Sequence, residues 1–269
     1  DGAADFRLER VTFRYPGMEG TTLRDVSMEL RAGQRIALVG HNGSGKSTQV
    51  KLLCRFYDLE EGSIEYGGVN IRSFDPAAYR RLIGVSFQNF NRYFLPAREN
   101  VWLGNVDLDP SDPRIEEASR LSGAHKILSA LPQGYETQLG RWFKSGAELS
   151  QGEWQTIALA RAFLSDARLL VLDEPSSFLD PDAEEQLFAH LRDLSPRKTI
   201  LFVSHRFSTV RQADWIYVME GGRVKEQGTH DDLLRQGGLY AHSFRLQARG
   251  YRIEEQPTAD FPNGFRSDS

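Results

Sequence analysis

A glycine-rich loop between an apolar run and a helical pattern constrains this chain more than any other feature. The sequence GHNGSGKST, residues 40–48, fits the pattern G-x-x-x-x-G-K-[ST], and the run RIALVG leads directly into it. Glycines let successive backbone N–H groups point into one concavity, and the helix that follows adds partial positive charge at its N-terminus. The loop therefore predicts a buried strand, a phosphate cradle and a helix, in that order.

The side chains of this loop suit a nucleoside triphosphate and its magnesium ion. We expect Lys46 to neutralise the β- and γ-phosphates and Ser47 to offer its hydroxyl to Mg²⁺, with Thr48 a weaker candidate for a phosphate contact. A glycine-rich turn with a surface lysine is the alternative, which the flanking strand and helix patterns disfavour. The other positions expected to line the cradle are Gly40, His41, Asn42, Gly43, Ser44 and Gly45.

Composition and charge narrow the classes of partner. The chain has 40% hydrophobic and 26% charged residues, a net charge of -4 and no polybasic run, so we expect a globular domain that does not bind nucleic acid. The single cysteine, Cys54, excludes an internal disulfide and a cysteine-rich zinc site. Apolar runs are far shorter than the about 18 to 20 residues of a membrane-spanning helix, so any action at a membrane is expected from outside the bilayer.

The order of predicted elements indicates an α/β fold. Strand-like alternation and a small hairpin pattern surround the glycine-rich loop, helical patterns dominate about residues 75–165, and strands and helices then alternate again. Such alternation predicts a mainly parallel sheet with helices packed on it. We expect one domain over residues 1–250 and a flexible polar tail over 251–269.

Two adjacent carboxylates end the apolar strand pattern RLLVLDEP. We expect Asp173 in the Mg²⁺ shell. Glu174 is expected on the other side of an extended backbone, where it faces the γ-phosphate and polarises the attacking water. Both acids could instead cap a turn before Pro175, but the phosphate loop upstream favours the catalytic interpretation.

A second feature that suits an anion lies in the sequence LSQGE, residues 149–153. Ser150 followed three residues later by Glu153 is an N-terminal capping box for the helical pattern after it. The hydroxyl of Ser150, the N–H of Gly152 and the helix N-terminus would also bind an anion. For the motif alone, capping is the preferred interpretation.

The order of all these motifs resembles the ATP-binding cassette (ABC) family over about residues 6–246. LSQGE stands where that family has its signature, usually LSGGQ, so Ser150 and Gly152 match while Gln151 and Glu153 depart from it. We expect Glu153 to turn back and cap its helix. The resemblance implies a P-loop NTPase cassette with a mainly parallel core sheet, an N-terminal antiparallel β-subdomain and an inserted α-helical subdomain that carries the signature.

The resemblance also implies roles for residues that alone could be core or loop positions. Tyr15 resembles the aromatic that stacks on adenine, and Gln88 matches the glutamine that senses Mg²⁺ and meets the transmembrane partner. Asp180 ends the segment SFLD, which resembles the loop that crosses to the other subunit. His205 matches the switch histidine, which is expected to donate to the γ-phosphate and so hold Glu174 and the water in line.

In this family two cassettes pair head to tail, with each ATP between the phosphate loop of one and the signature of the other. The resemblance therefore implies ATP and Mg²⁺ as cofactors and an ATPase in which Glu174, His205 and Lys46 are catalytic. It implies a second cassette as partner, for which a homodimer suffices and a heterodimer is the alternative. Signature positions 150–153 would then contact the partner copy's ATP.

The segments RENVWLG and GYETQLG resemble exporter cassettes fused behind membrane helices in peptide, lantibiotic or multidrug exporters. This implies a location on the cytoplasmic side of the cell membrane, as half of a longer polypeptide or as a separate subunit. Tyr93, Phe94 and Trp142 are expected to dock a coupling helix of the transmembrane domain, or else to pack within the helical subdomain. An importer cassette, a soluble ABC ATPase acting on nucleic acid or ribosomes, and a P-loop kinase are the alternatives.

Overall fold

The computed structural model describes residues 4–143, 145–196 and 198–254. The strands in these ranges are β1 Phe6–Phe13, β2 Leu23–Leu30, β3 Arg35–Gly40, β4 Glu61–Tyr66, β5 Val69–Asn70, β6 Ile83–Ser86, β7 Leu169–Asp173, β8 Thr199–Val203, β9 Trp215–Glu220 and β10 Arg223–Gly228. The α-helices are α1 Lys46–Leu53, α2 Pro76–Arg81, α3 Ala97–Trp102, α4 Arg114–Ser122, α5 Ala124–Ser129, α6 Gln151–Leu164, α7 Pro181–Leu194, α8 Phe207–Val210, α9 His230–Gln236 and α10 Leu239–Glu254.

A six-stranded sheet with the order β10-β9-β3-β8-β7-β6 forms the centre of the domain. All neighbouring strands are parallel except β10, which runs antiparallel to β9. Every residue of β8 is buried, as expected for a strand covered on both faces. The predicted α/β fold with a mainly parallel sheet is confirmed.

A four-stranded antiparallel sheet, with the order β2-β1-β4-β5, lies against one face of this core. Buried and exposed residues largely alternate along β2, so its apolar side chains face inward. They share one hydrophobic cluster with residues from β3, β7, β8 and α1, whereas α6 and α7 pack into a second cluster on the other side. The predicted antiparallel subdomain is thus present.

The segment predicted to be helical, about residues 75–165, contains one strand of the central sheet. Strand β6 pairs with β7, so the inserted helices α3 to α6 begin only after it. A four-residue run, IGVS, is too short to give a clear strand pattern. Residues 251–254 continue α10, and the rest of the predicted tail, residues 255–269, lies outside the described ranges.

The register of the parallel strands brings their carboxyl ends to one edge. Leu38 of β3 lies opposite Val203 of β8, and Val203 lies opposite Asp173 of β7. Ser86, the last residue of β6, pairs with Leu172. The segments after these strands therefore meet, as is usual for binding sites in open α/β sheets. None of the helices in the described part of the chain is long and apolar enough to cross a bilayer.

Candidate nucleotide site

The glycine-rich loop joins β3 to α1, as predicted, and two of its glycines are required by close packing. A Cβ atom at Gly40 would lie 2.3 Å from the carbonyl oxygen of Met219. Gly45 has φ of +105°, and a Cβ atom there would lie 2.5 Å from a methyl of Leu23. The loop can therefore follow its curved path only with glycine at these two positions.

Lys46 spans the loop from the first turn of α1. Its Nζ donates hydrogen bonds to the carbonyl oxygens of Gly40, at 2.7 Å, and His41, at 3.0 Å. Burial lowers the pKa of this ammonium, and the carboxylates of Glu174 and Asp173 oppose that shift. The geometry holds one cation inside a ring of backbone groups, next to two acids.

A buried hydroxyl inside the loop provides a test of the phosphate interpretation. The Oγ of Ser44 has no hydrogen-bond partner in the described part of the chain, although the residue is only 4% exposed. Buried hydroxyls of folded proteins nearly always have partners. An unpaired donor beside an ammonium and a helix N-terminus fits a phosphate group.

Tyr15 reaches the phosphate loop from the segment after β1. Its hydroxyl lies 3.0 Å from Oγ1 of Thr48, and its half-buried ring meets the rings of Phe13 and Tyr57 edge-on. The Nζ of Lys51 lies 5.5 Å from the ring centroid. Tyr15 therefore places an aromatic ring at the border of the loop, and its contact with adenine stays a prediction.

Asp173 and Glu174 follow each other at the end of β7 in different environments. Burial raises the pKa of Asp173, as does the neighbouring Glu174, while Lys46 opposes the shift. The prediction of an extended backbone at Glu174 is wrong. Its φ of +53° is left-handed, and its N–H donates to Val203 across the sheet edge at 2.9 Å.

The left-handed turn at Glu174 places its carboxylate beside the imidazole of His205. Nδ1 of His205 lies 2.7 Å from Oε1 of Glu174. The side chain of Glu174 is 12% exposed, whereas that of His205 is 63% exposed. A non-glycine residue with positive φ costs free energy and is typical of functional sites. The structure thus places His205 against Glu174, and the expected bond of His205 to a γ-phosphate stays a prediction.

Two further candidate Mg²⁺ ligands lie on segments that follow strands at the same sheet edge as Asp173. Ser47 is exposed on the first turn of α1, and Gln88 is exposed two residues after β6. Strand β6 pairs with β7 up to Leu172, so Gln88 follows the strand next to Asp173. The edge of the sheet therefore collects the phosphate loop, both acids, His205 and Gln88.

The segment LSQGE forms the start of α6, as the sequence predicts. Ser150 is the N-cap: its Oγ accepts from Glu153 N at 3.3 Å, and Glu153 Oε2 accepts from Ser150 N at 2.7 Å. The predicted capping role of Glu153 is confirmed. A Cβ atom at Gly152 would lie 2.7 Å from the carbonyl oxygen of Phe178, so this position has no room for a side chain.

The side chain of Gln151, which departs from the family signature, has a hydrogen-bond partner that was not predicted from the sequence. The guanidinium of Arg92, in the loop between β6 and α3, donates a hydrogen bond to Oε1 of Gln151. Both side chains are exposed. Gln151 therefore points away from the helix axis toward that loop, where a glycine would make no contact. Its local sequence gave no sign of a partner 59 residues away.

Hydrogen bonds of Gln155 join α6 to the loop after β7, which begins with Glu174. Nε2 of the buried Gln155 donates to the carbonyl oxygen of Glu174 at 3.0 Å, and its Oε1 accepts from Phe178 N at 3.1 Å. Asp180 caps α7 by accepting from Ala183 N at 2.8 Å. Gln155 was not predicted to be a functional residue. The sequence signal that could have indicated it is a polar side chain among the apolar positions of α6.

Ser150, Gly152 and Asp180 line a cavity of about 500 Å³ between α6 and α7. As far as the chain is described, residues 40–48 do not contribute to its lining. The structure thus holds two features that suit an anion, in separate surroundings. One is the glycine-rich loop with the acids and His205, and the other is the N-terminus of α6 with the loop before α7.

Three predicted surface aromatics lie on or near the inserted helices. Tyr93 is 39% exposed, Phe94 47% and Trp142 75%. The high exposure of Trp142 contradicts the alternative that it packs within the helical subdomain. The loop that carries Tyr93 and Phe94 is tied down by the buried Asn100 and by Arg161, neither of which was recognised from the sequence.

Comparison with known proteins gives the family. The family model for the ABC transporter matches residues 23–177, which is more than half of the chain. The chain belongs to the ABC transporter family. Its identification as a nucleotide-binding domain of the exporter type, an ATP-binding ATPase domain, is confirmed together with the cassette fold.

Individual relatives are longer than this chain. It is 40% identical over 232 residues to the subtilin transport ATP-binding protein SpaT of Bacillus subtilis, covering 86% of this chain and 38% of that protein. The ATP-dependent lipid A-core flippase of Escherichia coli strain K12 is 38% identical over 243 residues, covering 90% and 41%. A bacterial Atm1-family ABC exporter with ATP bound superposes with a TM-score of 0.84 at 33% identity, covering 91% of this chain and 42% of that one. The chain therefore spans about two fifths of these relatives' lengths.

Proposed function

We propose that two copies of this cassette pair head to tail around two ATP molecules, and that their hydrolysis drives export through a transmembrane domain. The observation that carries the proposal is the separation of the two anion-binding features. Ser150 and Gly152 face a cavity of their own, so a second copy could bring its phosphate loop there. A homodimer provides two complete sites because one chain has both halves.

The phosphate loop would hold ATP and Mg²⁺ with groups that have few other partners. Lys46 would exchange its two loop carbonyls for phosphate oxygens, and the unpaired Ser44 hydroxyl would gain an acceptor. Asp173, Ser47 and Gln88 would hold Mg²⁺, which usually takes few protein ligands together with phosphate oxygens. When bound, the ion would neutralise charge that develops on the phosphates. Tyr15 would stack on adenine.

Glu174 would act as the general base for the attacking water. Its carboxylate is largely shielded from solvent and held by His205. A neutral imidazole has only one N–H, so His205 cannot donate to Glu174 and to a γ-phosphate at once. We propose that, when ATP is bound, His205 donates its one N–H to the γ-phosphate instead of to Glu174.

The exposed aromatics would face the transmembrane domain on the cytoplasmic side of the membrane. Tyr93 and Phe94 belong to the loop that begins near Gln88, and Trp142 precedes the signature. Clustered exposed aromatics are typical of protein interfaces. Relatives described as a lipid A-core flippase and an ABC exporter support this assignment to an exporter. The exported molecule would bind outside this chain.

Steady-state ATPase measurements on Glu174→Gln test the catalytic part. We expect the parent's rate per chain to rise with chain concentration, and the variant's rate to fall by about 10²- to 10⁴-fold, the usual contribution of a general base. The variant should also elute as a dimer with ATP and Mg²⁺. Glu117→Gln, at an exposed position on α4, is the matched control. A parent without turnover at any concentration, or a Glu174→Gln variant as fast as the parent, would refute the mechanism.

A further inference from the structure

The last described helix packs on the segment that carries His205. Tyr240, Phe244 and Gln247 of α10 are four and three residues apart, so they share one face of the helix. The ring of Phe207 meets those of Tyr240 and Phe244 edge-on, with centroids 5.3 and 5.4 Å apart. An aromatic contact thus anchors the backbone just after the switch histidine.

Gln247 adds two hydrogen bonds to the same backbone. Its Nε2 donates to the carbonyl oxygen of His205 at 2.7 Å, and its Oε1 accepts from Phe207 N at 3.4 Å. One amide therefore bridges the main chain on both sides of Arg206. The connection joins positions 42 residues apart, from the C-terminal helix to the edge of the site.

The position of the His205 imidazole depends on this backbone anchor, whereas the position of Glu174 does not. Glu174 is fixed through its own N–H, bonded to Val203, and through its carbonyl oxygen, which accepts from Gln155 and Ser177. The His205 side chain is 63% exposed, so surrounding atoms restrain it little. Its main chain and its contact with Glu174 therefore set where the imidazole lies.

The neighbouring Arg206 is held separately. Its guanidinium bonds to Glu184 at 3.3 Å and to the carbonyl oxygen of Ser177 at 3.3 Å, and its N–H bonds to Ser204 Oγ. These contacts do not reach the carbonyl group of His205. A cavity of about 110 Å³ lies under this segment and leaves room for it to move; its lining includes Gly40, His41, His205, Phe207, Tyr240 and Gln247.

We propose that Gln247 is a positioning residue for His205, through which α10 sets the rate of hydrolysis. The proposal rests on the catalytic role proposed above for Glu174 and His205. With both of its hydrogen bonds made, the Gln247 amide keeps the imidazole between the carboxylate and the place of the γ-phosphate. Without these hydrogen bonds, the segment that carries His205 shifts toward the cavity. The imidazole then no longer lies beside Glu174 and the γ-phosphate, while the phosphate loop still binds ATP.

The variant Gln247→Met tests this, because methionine keeps the length of the side chain but forms neither hydrogen bond. We expect kcat for ATP to fall about tenfold and KM to change by less than about twofold, the pattern of a group that matters in the transition state rather than in binding. Leu246→Met is the matched control on the same helix, at a position that is 55% exposed, and should keep the parental kcat. If Gln247→Met does not fold, Gln247→Glu takes its place, because it keeps an acceptor for Phe207 N but puts a carboxylate oxygen where the amide donated to His205.

The His205→Ala background separates this inference from the proposed function. We expect Gln247→Met to slow the parent and to have no further effect on His205→Ala. If His205→Ala itself retains the parental kcat, the proposed role of His205 fails. If His205→Ala is slow, four results would overturn the inference about Gln247 and leave the proposed function standing. Gln247→Met could be as fast as the parent, could change only KM, or could slow hydrolysis no more than Leu246→Met does. It could also add its full loss to that of His205→Ala.

Discussion

Replacing Asn100 by alanine would release the loop that carries Tyr93 and Phe94. Asn100 is fully buried, and its Nδ2 donates to the carbonyl oxygens of Tyr93, at 2.9 Å, and Leu95, at 3.1 Å. Its Oδ1 accepts from the guanidinium of Arg161 at 2.8 Å. Arg161 also donates to the carbonyl oxygens of Asn100 and Asn91, and burial lowers its pKa to about 10.

The substitution leaves two groups without a partner, the carbonyl oxygen of Tyr93 and one guanidinium N–H, because the carbonyl oxygen of Leu95 still accepts from Leu139 N. An unsatisfied buried group costs about 1 to 3 kcal/mol, and we take the lower part of that range because water can reach a surface loop. Alanine is a better helix former than asparagine, which offsets about 0.7 kcal/mol of this loss because residue 100 lies in α3. We therefore expect Asn100→Ala to lower the free energy of unfolding by about 1 to 3 kcal/mol.

Urea denaturation of the nucleotide-free chain measures this loss as a lower midpoint at unchanged slope. Asn105→Ala is the matched control, because the Asn105 amide donates to Asp166 in an exposed hydrogen bond at 2.9 Å. We expect the control to lose less than about 1 kcal/mol. Equal losses in the two variants would refute the reasoning, since burial of the Asn100 network would then have no energetic consequence.

Three further predictions concern the nucleotide site and its surroundings. Burial raises the pKa of Asp173, so its proton-bound form stabilises the fold at low pH and this contribution is lost as pH rises through the folded-state pKa. At pH 7 Asp173→Asn should therefore raise Tm without nucleotide and reduce the further rise on adding ATP and Mg²⁺; an unchanged or lower Tm without nucleotide would contradict this. Burial raises the pKa of Cys54 to about 12, so iodoacetamide at pH 8 should modify it only in denaturant, as mass spectrometry would show. A Cβ at Gly152 meets Phe178 O at 2.7 Å, so Gly152→Ala should weaken ATP-dependent dimerisation at least about tenfold by analytical ultracentrifugation, whereas Gly20→Ala, with open space around its Cβ, should not.

Local patterns predicted the parts of this molecule that depend on neighbours in sequence. The loop at residues 40–48 lies between β3 and α1 as its motif requires, and Ser150 and Glu153 form the capping box that their spacing predicts. These features arise from backbone geometry over a few residues. For the same reason the family resemblance could be recognised before any contact was known.

Features that depend on distant residues could not be predicted in this way. Strand β6 is recognisable mainly because β7 pairs with it. The left-handed backbone of Glu174 is imposed by contacts with Val203 and Gln155, and the extended conformation assumed for it was the ordinary expectation for a strand end. The amide of Gln247 has no periodic pattern that points to His205. Hydrophobic periodicity reports which face is buried, and says nothing about the partner of a polar side chain.

The hydrogen bond between Arg92 and Gln151 couples two positions that are 59 residues apart. When motifs are exchanged between cassettes, the two residues should therefore be exchanged together. A hybrid that receives the common LSGGQ motif at residues 149–153 places glycine at 151 and leaves the Arg92 guanidinium without its acceptor. The reverse hybrid carries a glutamine into a cassette that has no arginine to meet it. Transferring both residues together preserves the link between the loop after β6 and the start of α6, so chimaeras should be designed in pairs of positions rather than in contiguous blocks.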